Sequence, residues 1–104
     1  MERIEKLKDF LVKDPDDSFL QHALALEYLK QGMDSDAKAL FEKILHREPG
    51  YIGSYYHLAK LLERMGETNS AIQWYEKGMI AAKAAGDHHA HAELQAALED
   101  LKPA

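Results

Sequence analysis

The stretch LALEYLKQGMDSDAKALFEK, residues 24–43, returns in altered form as LAKLLERMGETNSAIQWYEK, residues 58–77. The shared residues are scattered rather than contiguous. Leu24 and Ala25 recur as Leu58 and Ala59, Gly32 as Gly66, Ala37 as Ala71, and Glu42-Lys43 as Glu76-Lys77, with Tyr75 answering Phe41, each 34 positions on. A fixed period of this length marks a chain assembled from stacked supersecondary units. It frames two of them, 18–51 and 52–85.

Each unit predicts two helices joined by a tight turn. Leu20, Ala23, Leu24 and Tyr28 follow the three-and-four spacing of a buried helical stripe, and Gly32 supplies the left-handed residue that closes a helix. A short turn makes the next helix an antiparallel neighbour. Asp34 or Ser35 is expected to cap that second helix, whose stripe Ala37, Phe41, Ile44, Leu45 runs to Glu48-Pro49-Gly50, where proline forbids continuation. In the second unit Lys83 replaces the proline, so the helix starting near Asn69 should run on through Ala81, Ala82, Ala84 and Ala85 to Gly86. Ala25, Ala37, Ala59 and Ala71 are small where paired helices must cross closely, and Phe41 and Tyr75 are large where the gap needs filling.

In Leu24, Ala25, Tyr28, Gly32, Ala37, Phe41 and Pro49 the first unit resembles the tetratricopeptide repeat. The second matches at Leu58, Ala59, Gly66, Ala71 and Tyr75, and departs at Leu62 and Lys83. The resemblance implies an all-α solenoid of antiparallel helix pairs, wound as a right-handed superhelix, that binds other proteins instead of catalysing a reaction.

The flanks extend the pattern to about six helices in a single domain, 1–104. Residues 2–14 carry Ile4, Leu7, Phe10 and Leu11 on one side, with Pro15 standing 34 before Pro49, so they read as the second helix of a truncated preceding unit. Residues 87–101 place Ala90, Leu94, Leu98 and Leu101 on one stripe, as a helix covering the exposed end of the second unit would.

Composition narrows the partners. Thirteen Lys and Arg against eighteen Asp and Glu give a net charge of -5, which repels nucleic-acid backbones and anionic membrane surfaces. No apolar run approaches the roughly 20 residues of a membrane span. The start, MERIEKLKDFLVKD, mixes charges where a signal peptide needs an apolar core, so the expected location is cytoplasmic. The absence of cysteine removes thiolate nucleophiles, disulfides and Cys-based zinc sites.

A search for chemistry assigns no catalytic residue, cofactor or metal. Asp14, Asp16 and Asp17 lack the glycine and distal bidentate Glu of a calcium loop and read as a helix cap before Ser18. Phosphate loops and nucleophile elbows are missing. In GDHHAHAEL, residues 86–94, Gly86 ends one helix and Asp87 caps the next, which puts His88, His89 and His91 in or just after its first turn. The positive end of the helix dipole disfavours a cation there, and only His88 and His91, three apart, could share one. Trp74, on the outer side of its helix, is expected to pack against Gly78 and a neighbouring helix, with a partner anchor as the alternative.

The remaining candidate surface is the inner face that, in the family resembled, is lined by the first helix of each unit. Phe19, His22, Leu26 and Leu29 form a second stripe on the first helix of unit one, which is therefore apolar nearly all round. Tyr56, His57, Lys60, Glu63 and Arg64 stand on the equivalent helix of unit two, with His57, Lys60 and Arg64 at helical spacing. They predict a groove, apolar at one end and basic at the other, for a partner peptide or helix with apolar anchors and a carboxylate. The rival expectation is homodimerisation through the same apolar face, unless the terminal helix covers it.

Overall fold

The computed structural model describes residues 2–102. Six helices follow in order: α1 (Glu2–Lys13), α2 (Ser18–Lys30), α3 (Asp34–Arg47), α4 (Gly53–Arg64), α5 (Thr68–Ala84) and α6 (His88–Leu101). Among the described residues there is no strand, and no helix is long and apolar enough to cross a membrane. The chain divides into two compact units, the first ending at Glu48 and the second beginning at Pro49.

Glycine sets the turns. Gly32, Gly66 and Gly86 all have φ between 72° and 80°, the left-handed conformation that costs other residues a Cβ clash. Behind each, the next N–H reaches back to a carbonyl five residues earlier: Met33 to Tyr28 at 2.8 Å, Glu67 to Leu62 at 2.8 Å, Asp87 to Ala82 at 2.9 Å. These bonds satisfy carbonyls that a helix end otherwise leaves open. The turns are tighter than the sequence suggested. Met33, not Asp34 or Ser35, is the N-cap of α3, with no side-chain capping bond; Asp34 lies already within the first turn, where its carboxylate favours the helix dipole without capping it.

In the first unit α2 packs against both α1 and α3. Ile4, Leu7 and Leu24 are buried together, with Leu11, Leu20, Ala23, Tyr28, Met33 and Leu40 against them. Phe10 departs from expectation, being 58% exposed. Six residues beyond Ile4, it is rotated by roughly 120° from it around the helix, off the stripe that faces α2.

A polar clasp closes this unit. Asp17 Oδ1 accepts the N–H of Leu20 at 2.9 Å and caps α2. Arg47, at the end of α3, donates to Ser18 Oγ at 2.6 Å and Gln21 Oε1 at 3.2 Å, and lies 3.5 Å from Asp16. Ser18 in turn donates to Glu48 at 2.7 Å, and Gln21 to the carbonyl of Pro15 at 2.9 Å. Ser18 and Gln21 are buried, so these bonds replace water that the fold removes.

The second unit meets the same requirement with an aromatic. Tyr55, 34 positions after Gln21, donates its hydroxyl to the carbonyl of Pro49 at 2.6 Å, 34 positions after Pro15. Its ring then fills space beside α5 and lies 6.0 Å from Trp74. Here α5 packs against α4 on one side and α6 on the other. The capping helix buries Leu94, Ala97 and Leu98, and Asp87 caps it by accepting the N–H of Ala90 at 3.0 Å. On α4, His57 is half-buried and faces the charge of Glu93 on α6; burial lowers the imidazole pKa and Glu93 opposes that shift.

Two outcomes are expected. A Cβ on Gly78 would lie 2.7 Å from Tyr55 Cβ and 3.0 Å from Leu94 Cδ1, and Tyr55 Cβ is tied to the α4 backbone. Gly→Ala inside a helix ordinarily gains about 1 kcal/mol, but overpacking costs about 1 to 3 kcal/mol. Gly78→Ala should therefore give no stabilisation and a net loss of up to about 2 kcal/mol in urea unfolding. The second concerns pH. Because the native state holds His57 neutral below its ordinary pKa, the unfolded chain takes up the proton first as pH falls below about 6.5. Stability is full above that value and declines as pH falls through the window down to the lowered native pKa. His57→Gln should reduce the loss of Tm between pH 7.5 and 5.5.

Candidate interaction surface

On α2 the four predicted residues differ in what they offer. Phe19 is 71% exposed. His22, Leu26 and Leu29 are half-buried, and the His22 ring stands edge-on to Phe41, centroids 5.7 Å apart. The helix sends Leu24 and Ala25 into the core, which turns Phe19 and part of Leu26 and Leu29 outward. His22 is drawn toward the core through Phe41.

On α4, Tyr56 and His57 are half-buried while Lys60 and Arg64 are exposed. The Tyr56 ring is edge-on to His57 at 6.1 Å and to Tyr75 at 6.4 Å. Lys60 Nζ lies 5.7 Å above the Tyr56 ring and 3.6 Å from Glu63 Oε2. The same Glu63 oxygen accepts the hydroxyl of Tyr75, whose side chain is fully buried. Burial, then the bond to Glu63 and its charge, with smaller pushes from Tyr56 and Asp100, raise the Tyr75 pKa far above the usual phenol range. The hydroxyl therefore acts as a fixed donor.

Tyr75 is not among the predicted site residues, and Glu63, on the predicted surface by position, has no binding role assigned to it there. The only sequence signal was the three-residue spacing of Lys60 and Glu63, which puts opposite charges side by side on a helix. Tyr75 looked like a gap-filler, and its ring is one. Its hydroxyl found Glu63 through the packing of α5 on α4, a contact that spacing along one helix does not reveal.

Trp74 is half-buried between Tyr55 and Lys77, whose Nζ sits 4.6 Å from the ring centroid. The space over Gly78 is taken by Tyr55 and Leu94. Among the described residues no three His, Asp or Glu side chains gather as a metal site would require. His88 and His89 are exposed and His91 is half-buried. An open cleft of about 350 Å³ between α5 and α6 is lined by Met79, Ile80, Lys83, His91, Leu98 and neighbours; it contains none of the predicted α2 or α4 residues.

Comparison with known proteins agrees with the helix pairing. The family profile described as tetratricopeptide repeat matches residues 28–98. The crystal structure of a tetratricopeptide repeat domain protein from Salinibacter ruber is similar, with 42% identity and a TM-score of 0.78 over 82% of this chain and 94% of that one. Its solution structure superposes with a TM-score of 0.82 over 85% of this chain and 89% of that one, again at 42% identity. A protein from Bordetella parapertussis is 28% identical, with a TM-score of 0.81 over 94% of this chain and 85% of that one. No curated protein sequence matches the chain. The repeated alanine crossings, the glycine turns and these similarities agree: the chain belongs to the tetratricopeptide repeat family.

Proposed function

We propose that this chain is a non-catalytic scaffold or adaptor that holds a partner peptide or helix against the first helices of its two repeats, 18–51 and 52–85. The fold is in general one of protein–protein interaction, and the family match supports that role here. What carries the finer reading is the second apolar face of α2. Phe19 is 71% exposed, and Leu26 and Leu29 are each partly open on a helix whose other side already fills the core. An exposed aromatic beside aliphatic residues is the kind of surface a partner's apolar side chains desolvate. On α4, Tyr56 and His57 offer contact area of their own, and Lys60 and Arg64 supply the cations for a partner's carboxylate. His22 contributes its outer edge. Specificity in this scheme comes from side chains along the helices, with no bond made or broken.

Peptide display against the purified protein tests this reading. The enriched sequences should carry two or more Leu, Ile or Phe near a single Asp, Glu or terminal carboxylate. Phe19→Ala should weaken the best of them by about tenfold, the effect of losing roughly 1.4 kcal/mol of contact. Lys60→Glu combined with Arg64→Glu should reverse the acidic preference while leaving far-UV circular dichroism unchanged. Enrichment indifferent to all three substitutions would move the binding surface away from α2 and α4.

A further inference from the structure

Four side chains of the second repeat close on one another. Tyr75 donates to Glu63 Oε2, that oxygen lies 3.6 Å from Lys60 Nζ, Lys60 lies over the ring of Tyr56, and Tyr56 packs edge-on against Tyr75. The ring of contacts ties an exposed lysine to a fully buried tyrosine through a carboxylate of the chain's own. Lys60 is thus not an isolated cation: a carboxylate already stands beside it. Two more acids come from α6, Glu93 acting on His57 and Asp100 on Tyr75. Lys60 therefore has Glu63 beside it, while α6 brings negative charge to the neighbouring His57 and Tyr75.

We propose that Glu63, held in place by Tyr75, is the residue that restricts this surface to a partner presenting one carboxylate and rejects partners with clustered acids. The proposal rests on the reading of α4 as a partner-binding face. Its physical basis is that Lys60 and Glu63 together carry no net charge. A single incoming carboxylate can draw Lys60 toward itself, because the Tyr75 hydroxyl continues to satisfy Glu63 when Lys60 turns away. A second acid gains no further cation from this pair and finds only Arg64, one turn on; a third has no cation left and meets the Glu63 charge, a repulsion of unit charges at short range. Were Tyr75 unable to donate, Glu63 would depend more on Lys60 and release it less readily. Tyr75 is a positioning residue here, acting only through Glu63.

The experiment compares two acetylated, amidated peptides, Phe-Leu-Ala-Ala-Leu-Ala-Glu and the same sequence ending Glu-Glu-Glu, titrated against the full chain by calorimetry at low and at physiological salt. Glu63→Gln keeps an oxygen for the Tyr75 hydroxyl and removes the charge. It should raise the affinity ratio of triacid to monoacid by about fivefold at low salt, with the gain shrinking as salt screens it. Tyr75→Phe should weaken the monoacid peptide by about threefold or more, and this loss should vanish when Glu63→Gln is already present. Equal weakening by Tyr75→Phe in both backgrounds would show a packing effect and overturn the positioning role. A ratio unchanged within twofold in Glu63→Gln, while Lys60→Glu with Arg64→Glu abolishes binding, overturns the assignment of Glu63 and leaves the binding face standing. If neither peptide binds the wild-type chain, or the charge-reversed chain binds both equally well, the binding face fails and this inference with it.

Discussion

The close crossing of paired helices at alanine is the constraint on which the other contacts depend. Ala25 and Ala37 in the first repeat, and Ala59 and Ala71 in the second, are completely buried, as are Phe41 and Tyr75 in the same repeat positions of the second helices. A methyl at the crossing lets two backbones approach closely enough for the large ring of the second helix to fill the space that remains. Exchanging small for large at the crossing would push the helices apart and leave the ring unsupported. That geometry fixes which sides of α2 and α4 face inward, and so which sides face out with Phe19 and Lys60.

With the crossing fixed, each repeat still has to close the end where the preceding loop turns into its first helix. The two repeats answer with different chemistry at one position. Gln21 and Tyr55 bind the carbonyls of Pro15 and Pro49 respectively. Gln21 is small enough to leave room for Arg47, and the first repeat becomes a network in which Ser18, Gln21 and Glu48 share one guanidinium and one hydroxyl. Tyr55 fills the equivalent space with carbon and adds Trp74 as a neighbour. Removing one member of the first network strands a desolvated hydrogen-bonding partner, whereas truncating Tyr55 leaves an unfilled space beside Trp74 as well as an open Pro49 carbonyl. The repeats are thus alike in backbone and unlike in what loosens them.

This difference also marks how far the sequence could be read. Positions whose role is set within one helix or turn were legible: the stripes through Leu24 and Leu58, the long α5 that Lys83 permits, the left-handed glycines, and Asp17 and Asp87 as caps. Phe10 shows the limit of periodicity, since a helix of 12 residues offers several overlapping stripes and only the neighbour chooses among them. Asp34 shows the limit of capping rules: a glycine turn closed by a bond to the very next residue leaves no room for a separate cap. The α2 and α4 residues, Glu63 included, are identified by position and type, but the bond between Glu63 and the hydroxyl of Tyr75 is not, because it arises from α5 lying across α4. One-dimensional spacing predicts neighbours on a helix far better than neighbours across helices.

Charge illustrates the same separation of scales on the functional side. A net charge of -5 opposes an acidic partner at long range, whereas recognition of a carboxylate is decided at short range. At physiological ionic strength exposed charges more than about 8 Å apart are largely screened, so the surplus acids distributed over the molecule scarcely reach a carboxylate seated on α4. What such a carboxylate meets on α4 itself is Lys60, Arg64 and Glu63, with Glu93 and Asp100 of α6 acting on the neighbouring His57 and Tyr75. At low ionic strength the balance shifts, because the unscreened field of the whole chain then slows the approach of any acid. Under the proposed reading a carboxylate would thus be drawn by near contacts, whereas the net charge of -5 opposes polyanions, whose many charges extend well beyond the reach of two local cations.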